Sequence, residues 1–193
     1  MEKPHGKDAV KEAIIEAAVP LIAERGVENV SFRDIAQAAN VNHGLITRHF
    51  GSKDELMRMV GLHLAHSMFQ DAVDRGDTLK TLWDRGFSEH SVQIKAVTRI
   101  LMDLDAREML PYRPSFIDDI LLWFKKEQEK ISLNPAVDSN VLLFLIASLL
   151  VGSEIIGPHV KEVLNLSEDA FRKLKPKAFQ ALVTEIQALP GAS

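Results

Sequence analysis

Hydrophobic positions recur at helical spacing along almost the whole chain. Between residues 7 and 25, Ile14, Ala17, Ala18, Leu21 and Ile22 make one apolar stripe, and Gly26 supplies a stop. Pro20 lies inside this stripe, where it removes a backbone hydrogen bond and crowds the preceding turn at a cost of ~3 kcal/mol if uncompensated. The stripe continues in register past it, so a kink near Glu16 is expected rather than a helix end. A second, shorter pattern (Phe32, Ile35, Ala36, Ala39) begins after Ser31, which with Asp34 three places on has the form of a capping box. Asn40 tolerates the left-handed conformation that reverses a helix, and Val41 can plug the gap between this helix and the next. Asn42 then reads as the N-cap of a helix over 43–50, with Leu45, Ile46 and Phe50 facing inward. After Gly51, Ser52 and Glu55 have the spacing of another capping box, opening one long helix from Lys53 to about Val73 that Arg75-Gly76-Asp77 ends.

Further helices are predicted at about 78–88, 90–108, 115–131, 136–157 and 168–188. They are separated by the segment from Pro111 to Pro114, the turn from Leu133 to Pro135 and the stretch from Gly157 to Ser167. Apolar and polar residues nowhere alternate as a strand requires, so the class is all-α. Segment 141–156 (VLLFLIASLLVGSEII) is apolar nearly all round, which demands burial on more than one side. In the last helix, Phe171, Leu174, Phe179, Leu182, Val183 and Ile186 form a stripe, and a break or kink is expected at Pro176. Either an intrachain core or a subunit interface satisfies that burial. The interface candidates are Leu142, Leu145, Leu149, Ile156, Phe171, Leu174, Phe179, Leu182 and Ile186, the four helices of two subunits forming a bundle.

On the helix 43–50 the outward positions are His43, Gly44, Thr47, Arg48 and His49. Donors, a small surface and one fixed positive charge are what a helix needs in a major groove, touching bases and phosphates. The helix N-terminus made by Ser52, with Lys53 beside it, is suited to a phosphate. The block SFRDIAQAANVNHGLITRHFGSKDEL resembles the DNA-binding module of TetR-type transcriptional regulators over roughly 50 residues, from Ala13 to about Leu62. The resemblance implies that Ser31 and Arg33 touch the DNA backbone, that Asn42, His43, Gly44, Leu45, Thr47, Arg48 and His49 lie on the recognition helix, and that Lys53 meets a phosphate. Two positions depart from the family pattern. Thr47 replaces the usual tyrosine and donates one hydrogen bond at most. Asn40 replaces the usual glycine of the turn, a milder change. Arg48 and His49 are therefore expected to carry more of the DNA contact.

Composition narrows the alternatives. The chain has 193 residues, 46% of them hydrophobic, ample for a core in one domain or two small ones. It contains no cysteine, which removes disulfides, thiolate metal sites and cysteine nucleophiles and fits a reducing cytoplasm. The N-terminal MEKPHGKDAV lacks the apolar core of a secretory signal, and the run Val141 to Val151 falls short of the ~20 residues of a membrane span, so a soluble, cytoplasmic protein is expected. A net charge of −4 argues against indiscriminate nucleic-acid binding, leaving a small local footprint that gains affinity from two modules in a dimer.

The remaining candidates are a ligand cavity and a metal site. TetR-like regulators hold an effector among the helices after the linker, which here offers Phe69, Trp83, Phe87, Ile100, Met102, Leu104, Phe116, Leu121, Phe124 and Phe144. Each is equally a packing residue. Asp103, Ser148, Ser153 and Glu154 are polar groups that the pattern would bury, and Asp103 or Glu154 would either fix an effector's polar end or pair with Arg99, Arg107 or Lys161. His63 and His66 share a helix face but have no third ligand at matching spacing, so no metal is expected. No catalytic or cofactor motif occurs, so neither an enzyme nor a cofactor is expected.

The expected protein is thus a three-helix helix-turn-helix domain (1–52) followed by a helical effector-binding and dimerisation domain (53–193). Its expected partners are a palindromic double-stranded DNA operator, a second copy of itself and an unknown small-molecule effector, without a membrane. Repression is the expected sign. The competing reading is a small-molecule-binding helical dimer with weak or lost DNA binding, motivated by Thr47 and the near-neutral reader.

Overall fold

The computed structural model describes residues 4–85, 90–103, 115–130 and 138–188. Within these, the side chains of 83–85, 146, 150, 154, 179, 182, 183 and 186–188 lie outside the description. The helices are α1 (Lys7–Arg25), α2 (Phe32–Ala38), α3 (His43–Phe50), α4 (Lys53–Asp74), α5 (Leu79–Arg85), α6 (Ser91–Asp103), α7 (Phe116–Lys130), α8 (Ser139–Ile155), α9 (Gly157–Val163) and α10 (Glu168–Ala188). No strand occurs among the described residues. None of their helices is by itself long and apolar enough to cross a membrane.

The chain folds as two compact units. The first comprises residues 1–69 and 90–113 and the second residues 70–89 and 114–193. The sequence reading divided the chain at 52/53, whereas this grouping joins the first part of α4 and all of described α6 to the N-terminal helices.

The first unit is built around α1, whose inner face (Val10, Ile14, Ile15, Ala18, Val19 and Ile22) is buried against Ile35 and Ala36 of α2 and Ile46 and Phe50 of α3. Leu56, Met57, Val60 and Leu64 of α4 join the same core, as do Ala96 and Ile100 of α6. Helix α6 packs along α1. Near the end of α1, Gly26 stands at φ 80°, and a Cβ there would lie 2.9 Å from the Arg99 guanidinium of α6. The positive φ is what disfavours a side chain at position 26, since the Arg99 guanidinium ends a flexible, exposed side chain that can move aside. Pro20 does not interrupt α1, and α10 likewise runs on through Pro176.

Helix ends follow their local chemistry. Asn40 adopts φ 53°, and the amides of Asn40 and Val41 donate to the carbonyls of Gln37 and Ala36. This pairing closes a helix on a left-handed residue. The same closure ends α4 at Gly76, with Asp77 bonding back to Ala72, and ends α9 at Asn165, whose φ is 51°.

The second unit has a small buried centre of Leu79, Phe124 and Leu142, with Trp123 and Leu143 against it. Helix α7 packs on α5 and α8. Asp138 caps α8 by accepting from the amides of Asn140 and Val141 at 2.9 and 3.1 Å. These bonds, led by that from Val141, hold its carboxyl below the ordinary aspartate range. The predicted non-helical stretch from Gly157 to Ser167 is a correction, because residues 157–163 form α9. Pro158 sits in its first turn, where a missing N–H costs nothing and the fixed φ favours a fresh helix.

Candidate nucleic-acid interface

The hydroxyl oxygen of Ser31 accepts from the Asp34 amide at 3.3 Å, and the Asp34 carboxylate accepts from the Ser31 amide at 2.8 Å and also from its hydroxyl. The capping box at the start of α2 is therefore complete. These Ser31 bonds, with Arg25 3.9 Å away, hold the Asp34 carboxyl below its ordinary range. Asn42 caps α3 by accepting from the Gly44 amide at 2.8 Å. Gly44 suits this arrangement, since a Cβ there would stand 3.3 Å from the same Asn42 oxygen.

With both ends fixed, α3 turns Ile46 and Phe50 into the core. Leu45 is half-buried and packs on that core, so it positions the helix more than it presents a surface. His43, Gly44, Thr47 and Arg48 are exposed, while His49 is half-buried with its ring edge-on to Phe50. The His43 ring leans on Phe32, centroids 6.2 Å apart and planes tilted by 59°, which ties the first residue of α3 to the first of α2. Arg33 is exposed beside it.

At the start of α4, Ser52 accepts from the Glu55 amide at 3.1 Å. The expected second capping box is only half formed, because the Glu55 carboxylate turns to Arg58 instead. A guanidinium offers two charged donors where the backbone offers one neutral N–H, and the Arg58 bond holds the Glu55 carboxyl below its usual range. Lys53 Nζ donates to the Glu28 backbone carbonyl at 3.3 Å. Ser31, Ser52 and Lys53, with Glu28, Asn29 and Phe32, line an open depression at the junction of α2 and α4.

Six of the ten predicted positions sort into two groups. Ser31, Asn42 and Lys53 have polar atoms engaged in holding the fold. Arg33, Thr47 and Arg48 present polar side chains outward.

The effector candidates are not brought together. Ile100 is fully buried in the core of the first unit, against α1. Phe69 is half-buried in that unit, and Asp103 and Met102 are exposed there. The expectation that Asp103 is buried is corrected, because the inward stripe of α6 ends at Ile100 and residues 101–103 face solvent. Phe124 is buried in the second unit and Phe116 and Leu121 are half-buried. Phe144 and Ser148 are exposed on α8, against the expected burial of Ser148, because none of the described residues covers that face. Ser153 is half-buried. Phe87, Leu104 and Arg107 lie outside the described residues, as do the side chains of Trp83 and Glu154.

Of the interface candidates, Leu145, Leu149, Ile156 and Leu174 are 49–60% exposed in the single chain. Leu142 is corrected to an intrachain position, as it packs with Phe124 and Leu79. Phe171 is half-buried beneath the Lys161 ammonium, 5.0 Å from its ring centroid. The side chains of Phe179, Leu182 and Ile186 are outside the description. Among the described residues no three His, Asp or Glu side chains group to hold a metal.

Sequence reasoning missed Glu127 and Gln128, both buried on α7. Their place three and four residues after Phe124 was the available signal, masked by the charged run KKEQEK around them.

A capped pair of helices with an outward polar face, closed by a third helix start, has the form of a helix-turn-helix module. Residues 14–60 match the bacterial regulatory proteins of the tetR family. Over 61 residues the chain is 52% identical to an HTH-type transcriptional repressor of Mycobacterium tuberculosis, covering 32% of each protein. It is 30% identical over 112 residues to the HTH-type transcriptional regulator TtgR of Pseudomonas putida, covering 55% of this chain and 51% of that one. The chain therefore spans between a third and a half of the length of these relatives. Beyond that length the likeness is one of fold. A TetR-family transcriptional regulator from Vibrio parahaemolyticus superposes with a TM-score of 0.57 at 23% identity, covering 88% of this chain and 96% of that structure.

Proposed function

We propose that this protein is a ligand-responsive transcriptional regulator, most simply a repressor, that binds a palindromic operator as a homodimer in the cytoplasm. The observation that carries the reading is α3 itself, capped at Asn42, anchored by Ile46 and Phe50, and exposing His43, Thr47 and Arg48 together. In a two-fold dimer two such helices enter successive major grooves with centres ~34–36 Å apart. The exposed leucines of α8 and α10, with Ile156 between them, are the surface for the second subunit, since an apolar face of that kind in a single chain calls for a cover.

An effector among the helices of the second unit would act by favouring one spacing of the recognition helices, and only by its differential affinity for the two states. The chain passes from the first unit to the second inside α4, which makes that helix the candidate lever. Helix α6 is a further candidate, because it is part of the reader's own core.

The test is a titration of the full chain against palindromic DNA flanking its own gene, at several salt concentrations. Saturable, sequence-selective binding is expected. Arg48→Ala should weaken it and flatten its salt dependence if Arg48 contacts a phosphate, or relax selectivity at one base pair if it contacts guanine. No selective binding by a folded dimer would instead favour the small-molecule-binding dimer without DNA function.

A further inference from the structure

We infer that the second unit binds an amphiphilic primary or secondary ammonium ligand, and that the Glu127 carboxylate is the group that receives it. This rests on the effector reading above and names the chemistry of its ligand. On α7, Phe124, Glu127 and Gln128 fall three and four residues apart, on the face that is buried. Helix α7 packs against α5 and α8, and Phe124 meets Leu79 and Leu142, with Trp123 and Leu143 beside them. Two polar groups thus share an apolar wall. Gln128 is satisfied, its carbonyl oxygen accepting from the Ser139 hydroxyl at 2.7 Å.

Glu127 is satisfied on one side only. Its side chain is 2% exposed, and Oε1 accepts from Lys130, whose own side chain is 65% exposed and reaches in from solvent. Oε2 is buried with no hydrogen-bond partner among the described residues. A carboxylate oxygen removed from water without a donor is costly, and such an atom in a folded protein calls for an explanation.

The vacant lone pairs ask for an N–H or O–H donor, and the negative charge favours a cationic one. The wall of Leu79, Phe124 and Leu142, with the half-buried indole of Trp123, suits an apolar or aromatic body attached to it. A quaternary ammonium carries the charge but no proton to donate. A neutral alcohol carries the proton but no charge. The site therefore distinguishes protonated amines from both.

Calorimetric titration of the full chain with 2-phenylethylammonium, phenyltrimethylammonium and 2-phenylethanol tests this directly. Saturable binding of the primary ammonium is expected, tighter than either analogue by about tenfold or more, the scale of one charged hydrogen bond. Glu127→Gln should abolish that preference while leaving the helical circular dichroism unchanged, and Glu127→Leu should keep or raise the melting temperature while abolishing binding. Equal binding of the three probes, binding unaffected by Glu127→Gln, or no saturable binding of the primary ammonium would each overturn the assignment. A melting temperature that collapses in both variants would show Glu127 to be structural and would overturn it too. Operator titration on the same preparation separates the two readings: operator binding without ammonium binding removes this inference alone, whereas absent operator binding removes the regulator reading whatever the amine does.

Discussion

Asn40 holds a left-handed backbone at the turn between α2 and α3, where most side chains would set Cβ against the following carbonyl. Its short amide tolerates the strain, and Val41 uses the reversal to pack on the core. Asn40→Gly should therefore leave stability unchanged or raise it slightly, whereas Asn40→Val should cost about 1–2 kcal/mol and weaken DNA binding in proportion to the folded fraction. Urea unfolding of the three proteins measures this.

Asp34 gives a prediction in pH. Ser31 and then Arg25 lower its carboxyl in the folded chain, so the folded state binds its proton less readily than the unfolded state. Its contribution to stability is fully present above the ordinary aspartate range, and it fades as pH falls through the lowered folded value. Below about pH 4, where an unfolded aspartate protonates, wild type should lose more stability than Asp34→Asn. Unfolding midpoints at pH 6 and pH 3 test it, and equal losses would refute it. At the reader surface, Thr47→Ala should change operator affinity less than Arg48→Ala, because a hydroxyl supplies one neutral hydrogen bond and a guanidinium several charged ones.

At the scale of elements, the reader was legible because its signals are local. Ser31 with Asp34, Asn40, and Asn42 each act within four residues, so sequence alone locates the caps, the turn and the outward face of α3. The second capping box failed for a reason of the same scale, since Arg58 competes for Glu55 and wins by charge. Tertiary choices were less readable. Nothing local tells Ile100 to pack on α1 rather than line a cavity, and nothing local sends Leu142 inward while Leu145 stays out. Glu127 was hidden because a charged run on a helix ordinarily marks a solvated face. The role of α6 can be tested through its deepest side chain. Ile100→Ala should cost about 2–5 kcal/mol, the range for emptying a packed aliphatic site, and should lower operator affinity although Ile100 lies outside the helix-turn-helix motif. Thermal unfolding and DNA titration of the variant together check both halves.

For the whole molecule, the proposed homodimer makes affinity a matter of pairing. A reader with few fixed charges, in a chain of net charge −4, gains little from counterion release at one site and much from joining two sites rigidly. Replacing Leu145 and Leu149 together by lysine should leave the single chain folded, because both are about half exposed within it, yet convert dimer to monomer. Sedimentation velocity reports the mass, and operator binding should fall by orders of magnitude with the loss of the second site. A dimer that survives the double substitution would place the subunit contact elsewhere.

The burial of Ala96 and Ile100 beside α1 also bears on how the first unit of this chain can be recombined. A graft cut in the linker after residue 52, or even at the end of α4, would carry away the reader while leaving behind part of its own floor. A chimera that keeps the donor's residues 91–103 alongside 1–69 should retain operator choice, whereas one that takes only the contiguous N-terminal block inherits a mismatched socket under α1. The unit that evolution or an engineer must move intact is discontinuous along the gene.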